Sequence, residues 1–178
     1  MRSWAIMTGG RTGLPRRTAG WKHSDTGRLP TSASRSTATA PVRLEKDGYG
    51  FWLAGLEDHV ALLPGRKWGR TRMTGLDDLD GTMAQVTDDA PVIQLAHEPD
   101  IFPRVPERVS LTLSGHTHGG QIRFFGRSPI VPSRYGDRYA YGHIVEEGRN
   151  IIVSGGLGCS IAPVRFGVPP EIVVIDLG

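Results

Sequence analysis

The chain has 178 residues, enough for one domain with a hydrophobic core. No apolar run approaches the roughly 20 residues that a membrane-spanning helix needs, and no signal peptide is recognisable. The chain as it stands is expected to be cytoplasmic, and its localisation is otherwise left open. Its single cysteine, Cys159, excludes an internal disulfide and fits a reducing compartment. The net charge of +3 is uneven: residues 1–40 hold seven basic residues and one acidic residue (+6), and residues 41–178 hold 14 and 17 (−3).

The basic segment, residues 1–40, shows neither helical nor strand periodicity, and prolines and a Ser/Thr/Ala-rich run interrupt it. We predict a disordered tail, because this composition is poor in residues able to form a core. Its arginines and lysines are spread out instead of clustered, so no nucleic-acid partner is expected. If the tail did bind nucleic acid, its deletion would abolish a salt-sensitive affinity.

The character of the sequence changes near residue 41. Residues 42–45 and 50–56 are predicted as two strands around a turn at residues 46–48. Residues 76–86 are predicted to hold one short helix, with acidic residues near its start, where the helix dipole favours them. The remaining predicted strands are residues 91–96, 109–114, 151–154 and 171–176.

Two of these predicted strands end in histidine-bearing loops. His97 follows the strand at 91–96, and His116 and His118 follow the next one, in the run Ser-Gly-His-Thr-His-Gly-Gly-Gln at residues 114–121. In an extended segment, side chains two residues apart leave the backbone on the same side, so both imidazoles are expected to reach one centre. Neutral imidazole is the commonest protein ligand for transition metal ions, so the pattern predicts a metal site. The alternative is a surface turn that happens to contain two histidines.

The residues around this pattern are expected to have mixed roles. Glu98 and Asp100 add carboxylates beside His97, although an aspartate after a proline commonly fixes a turn. His59 and His143 are predicted to be ordinary surface or partly buried histidines. Arginines can grip a phosphate with their planar fork, although most are expected to be merely solvated. The arginines in question are Arg123, Arg134, Arg138 and Arg165.

The two histidine-bearing runs resemble the last two metal-binding motifs of the calcineurin-like metallophosphoesterases. Residues 95–100, Leu-Ala-His-Glu-Pro-Asp, match the first motif, and residues 113–121, Leu-Ser-Gly-His-Thr-His-Gly-Gly-Gln, match the second. The subgroup most similar is that of the bacterial phosphodiesterases related to YkuE and YaeI. Further similarity lies in residues 132–136, 155–158 and 163–172. The resemblance covers residues 41–178, which we predict to be the C-terminal part of such a domain.

The resemblance implies an α/β (α+β) fold, a β-sandwich of two sheets flanked by helices, with two metal ions at the strand ends. It implies that His97 and His116 bind one ion and that His118 binds the other. The ions of the family are manganese, iron or zinc, and they bind a phosphate and generate the hydroxide that attacks phosphorus in line. The implied function is hydrolysis of a phosphodiester or phosphomonoester, with a small-molecule or lipid phosphoester as substrate.

The chain departs from the family pattern before His97. Family members carry the motifs Asp-x-His, Gly-Asp and Gly-Asn-His-Asp, and none of the three precedes His97 here. The Gly-Asp carboxylate bridges the two ions in the family, and two divalent ions a few ångströms apart need that negative charge between them. We therefore predict an impaired enzyme in which no catalytic residue is assigned. The alternative is a non-catalytic module that binds a metal ion or a phosphate.

The codons of residues 4–10 suggest one origin of this difference. If these codons are read in the frame that starts two bases later, the codons for Trp-Ala must encode glycine and those for Met-Thr must encode aspartate. In the same frame, the codons for Ala-Ile can encode asparagine and those for Ile-Met can encode histidine. The shifted frame can therefore spell Gly-Asn-His-Asp, the third of the missing motifs. Our hypothesis is that residues 1 to about 40 are an out-of-frame translation of the normal segment.

Overall fold

The computed structural model describes residues 4–5, 40–57, 78–160 and 162–177. The helical elements of these residues are α1 (Leu79–Met83) and 3-10 helices at Pro99–Arg104, His118–Gly120 and Gly136–Tyr139. The strands, numbered in chain order, are β1 Trp4–Ala5, β2 Val42–Lys46, β3 Tyr49–Gly55, β4 Val92–Leu95, β5 Val109–Ser114, β6 Gly142–Glu146, β7 Arg149–Val153 and β8 Val174–Ile175.

A mixed six-stranded sheet with the order β2-β3-β4-β5-β7-β6 forms the centre of the fold. The four inner strands, β3, β4, β5 and β7, run parallel to one another, and β2 and β6 pair antiparallel at the two edges. Parallel strands end at the same edge of a sheet. The loops that follow β4, β5 and β7 therefore emerge side by side, which is where ligands collect in sheets of this kind.

Both edge strands are joined to their neighbours by two-residue turns. The central residues have positive φ in each turn: 52° and 86° at Asp47 and Gly48, and 51° and 77° at Glu147 and Gly148. This is the backbone that type I′ hairpins require, and Asp-Gly is a typical sequence for it. The first hairpin was accordingly predicted, whereas β6 was not, because Glu-Gly is a weaker turn signal.

The core lies on one face of the six-stranded sheet. Apolar side chains from the sheet pack with residues of α1 and of the 3-10 helix Pro99–Arg104, and Tyr139 belongs to the same buried cluster. The Tyr139 ring packs edge-on against Phe102 with ring centres 5.6 Å apart, and its hydroxyl donates to Glu146 at 2.7 Å. The buried residues of this core are Trp52, Ala54, Leu79, Val92, Ala96, Ile101, Phe102, Val105, Val109, Tyr139, Ile151 and Val153.

Most predicted elements are confirmed, and the differences are in length. The helix predicted at residues 76–86 is only five residues long, because Asp78 caps it by accepting a hydrogen bond from the Gly81 amide at 2.9 Å and it ends after Met83. The last predicted strand shrinks to Val174–Ile175. Its first residue, Glu171, instead donates its backbone N–H to the carbonyl of Gly156 at 3.1 Å.

The α/β fold class is confirmed, but the complete sandwich is not seen in the part of the chain that the structure describes. There, the strands outside the six-stranded sheet are β1 and β8, which form a two-stranded antiparallel pair with Trp4 opposite Ile175. Two strands of two residues each are too few to cover the second face. The only α-helix of these residues is α1, and no described helix is long and apolar enough to cross a membrane.

The prediction of a disordered tail at residues 1–40 lies outside the described residues, except at Trp4–Ala5 and Ala40. Trp4–Ala5 form a strand where no structure was predicted, because β8 offers backbone groups with which a short segment can pair. The hypothesis of an out-of-frame tail stays a prediction.

Asp88 ties the β2–β3 hairpin to the segment before β4. Its carboxylate accepts hydrogen bonds from Trp52 Nε1 and Arg43 Nε, each at 2.7 Å, and from the backbone N–H of Ala90 at 3.0 Å. The hydrogen bond from Trp52, followed by that from Arg43, lowers the pKa of Asp88 from 3.8 to about 2. The ionised form of Asp88 is therefore the form that the fold favours.

This shift predicts a specific loss of stability in acid. Because the pKa of Asp88 is lower in the folded chain than in the unfolded chain, its contribution to stability is present above about pH 4 and is lost as the pH falls towards 2. We expect the Tm of the wild type to fall more steeply over this range than the Tm of Asp88→Asn, whose side chain does not titrate. Scanning calorimetry at a series of pH values measures this, and parallel curves for the two proteins would contradict it.

Candidate metal centre

The parallel pairing of β4 with β5 brings the two histidine loops together. The Ala96 N–H donates to the carbonyl of Leu113 at 3.0 Å, and the Gly115 N–H donates to the carbonyl of His97 at 3.1 Å. These hydrogen bonds extend the ladder beyond the strand ends. His97 and His116 therefore leave the sheet edge as neighbours, although they lie 19 residues apart in the sequence.

His97 and His116 meet through their ring nitrogens. His116 Nδ1 and His97 Nε2 are 3.2 Å apart, and the ring planes are inclined by 73°. Two nitrogen ligands at about 2.0–2.1 Å from one tetrahedral ion are separated by about 3.3 Å. The observed distance fits shared coordination of one ion, and it also fits a hydrogen bond between the two imidazoles.

A buried carboxylate completes this cluster. Glu98 is 5% exposed, and one ligand atom from each of His97, Glu98 and His116 lies within 4.8 Å of the other two. Two imidazoles with one carboxylate form a donor set that suits zinc, manganese or iron. In the sequence, Glu98 is a candidate ligand only as one of two carboxylates that follow His97. Its burial beside both imidazoles comes from the packing of two loops, which no local sequence signal reveals.

His118 lies apart from this cluster. Its imidazole lies beside Gly158, in the glycine-rich loop after β7, and near Arg165. Burial, followed by the positive charge of Arg165, lowers the pKa of His118 below its usual value of 6.5. The imidazole thus stays neutral over a wider pH range, and the neutral form is the one that binds a metal ion.

The expectation that His116 and His118 project from an extended segment is wrong. Their φ angles are 64° and 52°, so the chain turns left-handed at each of them, and His118–Gly120 forms a 3-10 turn. The two imidazoles consequently face different neighbours. Positive φ at a residue other than glycine is uncommon and strained, and such strain concentrates at functional sites.

Thr117 anchors this strained loop to the core. Its side chain is almost fully buried, and its hydroxyl donates to the carbonyl of Ala140 at 2.7 Å. The Gly119 N–H points at the same hydroxyl oxygen at 3.3 Å. Thr117, the residue between the two histidines, thus attaches the loop to the buried residue Ala140.

The glycine-rich loop after β7 is held by two charged residues from the C-terminal segment. Arg165 donates to the carbonyls of Gly155 at 2.6 Å and Gly158 at 2.9 Å. Glu171 accepts from the Gly155 N–H at 2.8 Å and from the Tyr141 hydroxyl at 2.5 Å. Arg165 therefore positions the loop against His118, and these contacts occupy its guanidinium.

The other arginines that the sequence analysis considered as phosphate ligands also contact protein groups. Arg123 donates to the carbonyl of Gly119, and Arg138 forms an ion pair with Glu146 at 2.8 Å. Arg134 lies 3.4 Å from Asp100. In the described residues, then, these arginines have structural partners.

Two further sequence expectations agree with the structure, and one falls outside it. Asp100 fixes a turn, since its carboxylate accepts from the Ser133 hydroxyl at 2.5 Å and from the backbone N–H of Arg134 at 2.9 Å. His143 is exposed on β6 and lies 3.0 Å from the side chain of Asn150. His59 lies outside the described residues.

Comparison with known proteins gives three informative relatives. The chain is 41% identical over 106 residues to the uncharacterized metallophosphoesterase YkuE of Bacillus subtilis, a match that covers 59% of this chain and 37% of the relative. It is 33% identical to an uncharacterized metallophosphoesterase of Aquifex aeolicus, over 59% of this chain and 44% of the relative. It is 34% identical to another from Helicobacter pylori, over 72% of this chain and 32% of the relative.

These matches cover less than half of each relative, so the chain spans only part of the length of the curated proteins it resembles. No family model matches the chain, and no solved structure matches it significantly.

The crowding around Gly119 predicts that the loop tolerates no side chain there. A Cβ at Gly119 would lie 2.7 Å from Val168 Cγ1 and 3.0 Å from Tyr141 Cδ2, at a φ of 63°. We expect Gly119→Ala to lower the free energy of unfolding by about 2 kcal/mol, through overpacking and backbone strain. Urea unfolding measures the loss. Gly115→Ala is the matched control, because nothing lies within 4 Å of its added Cβ, and an equal loss in both variants would contradict the explanation.

Proposed function

We propose that residues 41–178 carry the metal-binding part of a phosphoesterase, because this chain belongs to the metallophosphoesterase family. His97, His116 and Glu98 are the proposed ligands of one divalent ion, and His118 is the proposed ligand of a second position. The substrate is a small-molecule or lipid phosphoester. Manganese, iron and zinc all suit these ligands.

The observation that carries this proposal is the approach of His97 Nε2 to His116 Nδ1 at 3.2 Å, at the carboxyl ends of two adjacent parallel strands. The backbone hydrogen bonds between the two loops already hold the two histidines next to each other, so an ion that binds there needs to order few further groups. The negative charge of Glu98 adds to the attraction for a cation.

The residues of the site divide the work of such a reaction. A divalent ion at this position would polarise a phosphoryl oxygen and activate a water molecule for attack on phosphorus. His97 and His116 would supply nitrogen ligands, and Glu98 would supply a carboxylate oxygen. Arg165 holds the glycine-rich loop through the carbonyl of Gly158, and burial, followed by the positive charge of Arg165, lowers the pKa of His118 and so favours its neutral form.

We propose that hydrolysis by this chain alone is impaired. Within the described cluster, Glu98 is the only carboxylate, and it lies beside His97 and His116. A second ion near the first would face strong repulsion without another negative charge between the two. The proposal is therefore one tightly bound ion and slow turnover. The alternative is binding of a metal ion or phosphate without turnover.

Metal titration tests the ligand assignment. We expect the wild type to bind one equivalent of Zn²⁺ or Mn²⁺ in calorimetry, and His97→Ala and His116→Ala to weaken binding by more than about 100-fold, since even the loss of an outer-shell partner costs 10- to 100-fold. His143→Ala, which changes an exposed histidine on β6, is the control and should bind as the wild type does.

The same proteins separate the alternatives. If the 3.2 Å contact is only a hydrogen bond between imidazoles, His97→Ala will not change the metal affinity. If metal binds but an activated diester such as bis(p-nitrophenyl) phosphate is not hydrolysed, the chain is a binding module. Slow hydrolysis that a chelator stops and added metal restores supports the enzyme.

We further propose that residues 1–40 take no part in the site. Deletion of residues 1–39 is expected to leave the metal Kd within about twofold of the wild-type value, as for changes that do not couple to a distant site. Loss of metal binding on deletion would contradict this division. Resequencing the locus tests the out-of-frame hypothesis directly, because the neighbouring frame must then contain Asp-x-His, Gly-Asp and Gly-Asn-His-Asp in order.

A further inference from the structure

A cavity is lined in part by His118, and neither His97 nor Glu98 is among its lining residues. Its volume is about 280 Å³. The residues that line it include Thr117, His118, Gln121, Ile122, Ser128 and Ile130. Gln121 steadies the rim, since its side chain donates to the carbonyl of Ala162 at 2.8 Å and accepts from the Ser160 N–H at 2.6 Å.

The segment between Ile122 and Ser128 forms a tight hairpin at residues 124–127, which we call the hairpin tip. Phe124 and Arg127 exchange two backbone hydrogen bonds of 2.8 and 3.0 Å, and the two residues between them, Phe125 and Gly126, have φ angles of 50° and 78°. Arg123 donates to the carbonyl of Gly126 from inside the turn. The tip is therefore a braced structure.

Phe125 sits at this tip in an unusual state. Its relative exposure is 107%, so its ring has no cover at all, and its positive φ is costly for a bulky residue. An aromatic side chain held in water on a strained backbone stabilises neither the core nor the turn. Such a feature is typical of a residue that contacts something outside the chain.

Three more exposed apolar side chains accompany Phe125. Phe124 is 52% exposed and its ring centre lies 4.9 Å from that of Phe166, which is 55% exposed. Ile130, at the mouth of the cavity, is 81% exposed. Together with the hairpin tip they form an apolar surface next to the cavity, and contiguous surfaces of this kind mark protein or membrane contacts.

The charge around this surface favours an anionic lipid interface. Arg127 is exposed beside Phe125 and places a positive charge at the tip, whereas Arg123 and Arg134 lie 4.0 and 3.4 Å from the carboxylates of Asp137 and Asp100. Aromatic side chains with adjacent basic residues suit the boundary between lipid headgroups and acyl chains. A protein partner would need an interface of roughly 800 Å² on each side, whereas an exposed tip can insert into a bilayer without one.

We propose that the hairpin tip, with Phe166 and Ile130, is an interfacial anchor that rests this chain on an anionic lipid bilayer. The cavity between the anchor and His118 then receives the apolar part of a lipid phosphoester. This second part rests on the proposed function, because it places the phosphate at His118. The anchoring itself does not depend on metal or turnover.

Flotation with vesicles tests the anchor. The wild-type chain is expected to float with vesicles of phosphatidylglycerol and phosphatidylcholine, and Phe125→Ser is expected to lower the partition coefficient about tenfold. Arg127→Gln should weaken binding to these vesicles about fivefold and leave binding to pure phosphatidylcholine unchanged. Tyr49→Ser is the matched control, because Tyr49 is an aromatic residue that is 79% exposed on the β2–β3 hairpin, outside the proposed anchor, and its change should leave flotation unaltered.

The outcomes separate the anchor from the enzyme. His97→Ala is expected to float as the wild type does, even though it loses metal binding. Equal flotation of Phe125→Ser and the wild type would overturn the anchor, as would a failure of both to bind vesicles. A dimer that depends on Phe125 and forms in place of vesicle binding, seen by light scattering, would likewise overturn it.

The cavity has a test of its own that needs no turnover. Dodecyl phosphate, below its micelle concentration, is expected to bind the wild type at least about tenfold more tightly than methyl phosphate does, since its chain leaves water. Ala162→Trp, which narrows the cavity and leaves the hairpin tip intact, should remove that preference while flotation stays unchanged. Equal affinities of the two phosphates for the wild type would overturn the assignment of the cavity.

Discussion

The parallel ladder between β4 and β5 is the constraint on which the candidate site depends. Its hydrogen bonds continue past the strand ends to Gly115, so the backbones of the two loops are held side by side where they leave the sheet. A shift of one residue in this register would turn every side chain of β5 to the other face of the sheet. The distance between His97 and His116 is therefore set by the buried strands.

The loop after β5 keeps its strained shape because the core holds it on several sides. The Thr117 hydroxyl donates a hydrogen bond to the carbonyl of Ala140. Gly119 packs so closely that an added methyl group would contact Val168 and Tyr141. The strain at His116 and His118 is offset by these contacts. Arg165 and Glu171 hold the glycine-rich loop after β7 by hydrogen bonds to its backbone. The loops that follow β4, β5 and β7 are thus all fixed by contacts with the rest of the fold.

Charge decides what this surface can bind. The cluster of His97, Glu98 and His116 brings two imidazole nitrogens and one carboxylate oxygen within 4.8 Å of one another, which suits a single divalent ion. Burial, followed by the positive charge of Arg165, lowers the pKa of His118, and the hairpin tip carries the exposed residues Phe125 and Arg127. The centre and the hairpin tip therefore offer a cation site and an anionic-lipid site that differ in chemistry and are open to separate tests.

The sequence by itself determined the inner strands, because their short apolar runs are bounded by glycine, proline and polar residues, and it placed His97, His116 and His118 just past two strand ends. It also determined the family, through runs that are continuous in the chain. Only the tertiary structure decided that His116 faces His97 while His118 faces Gly158, because backbone strain at 64° and 52° redirects the side chains. The burial of Glu98 and the exposure of Phe125 also depend on packing between segments far apart in sequence, which no local pattern records.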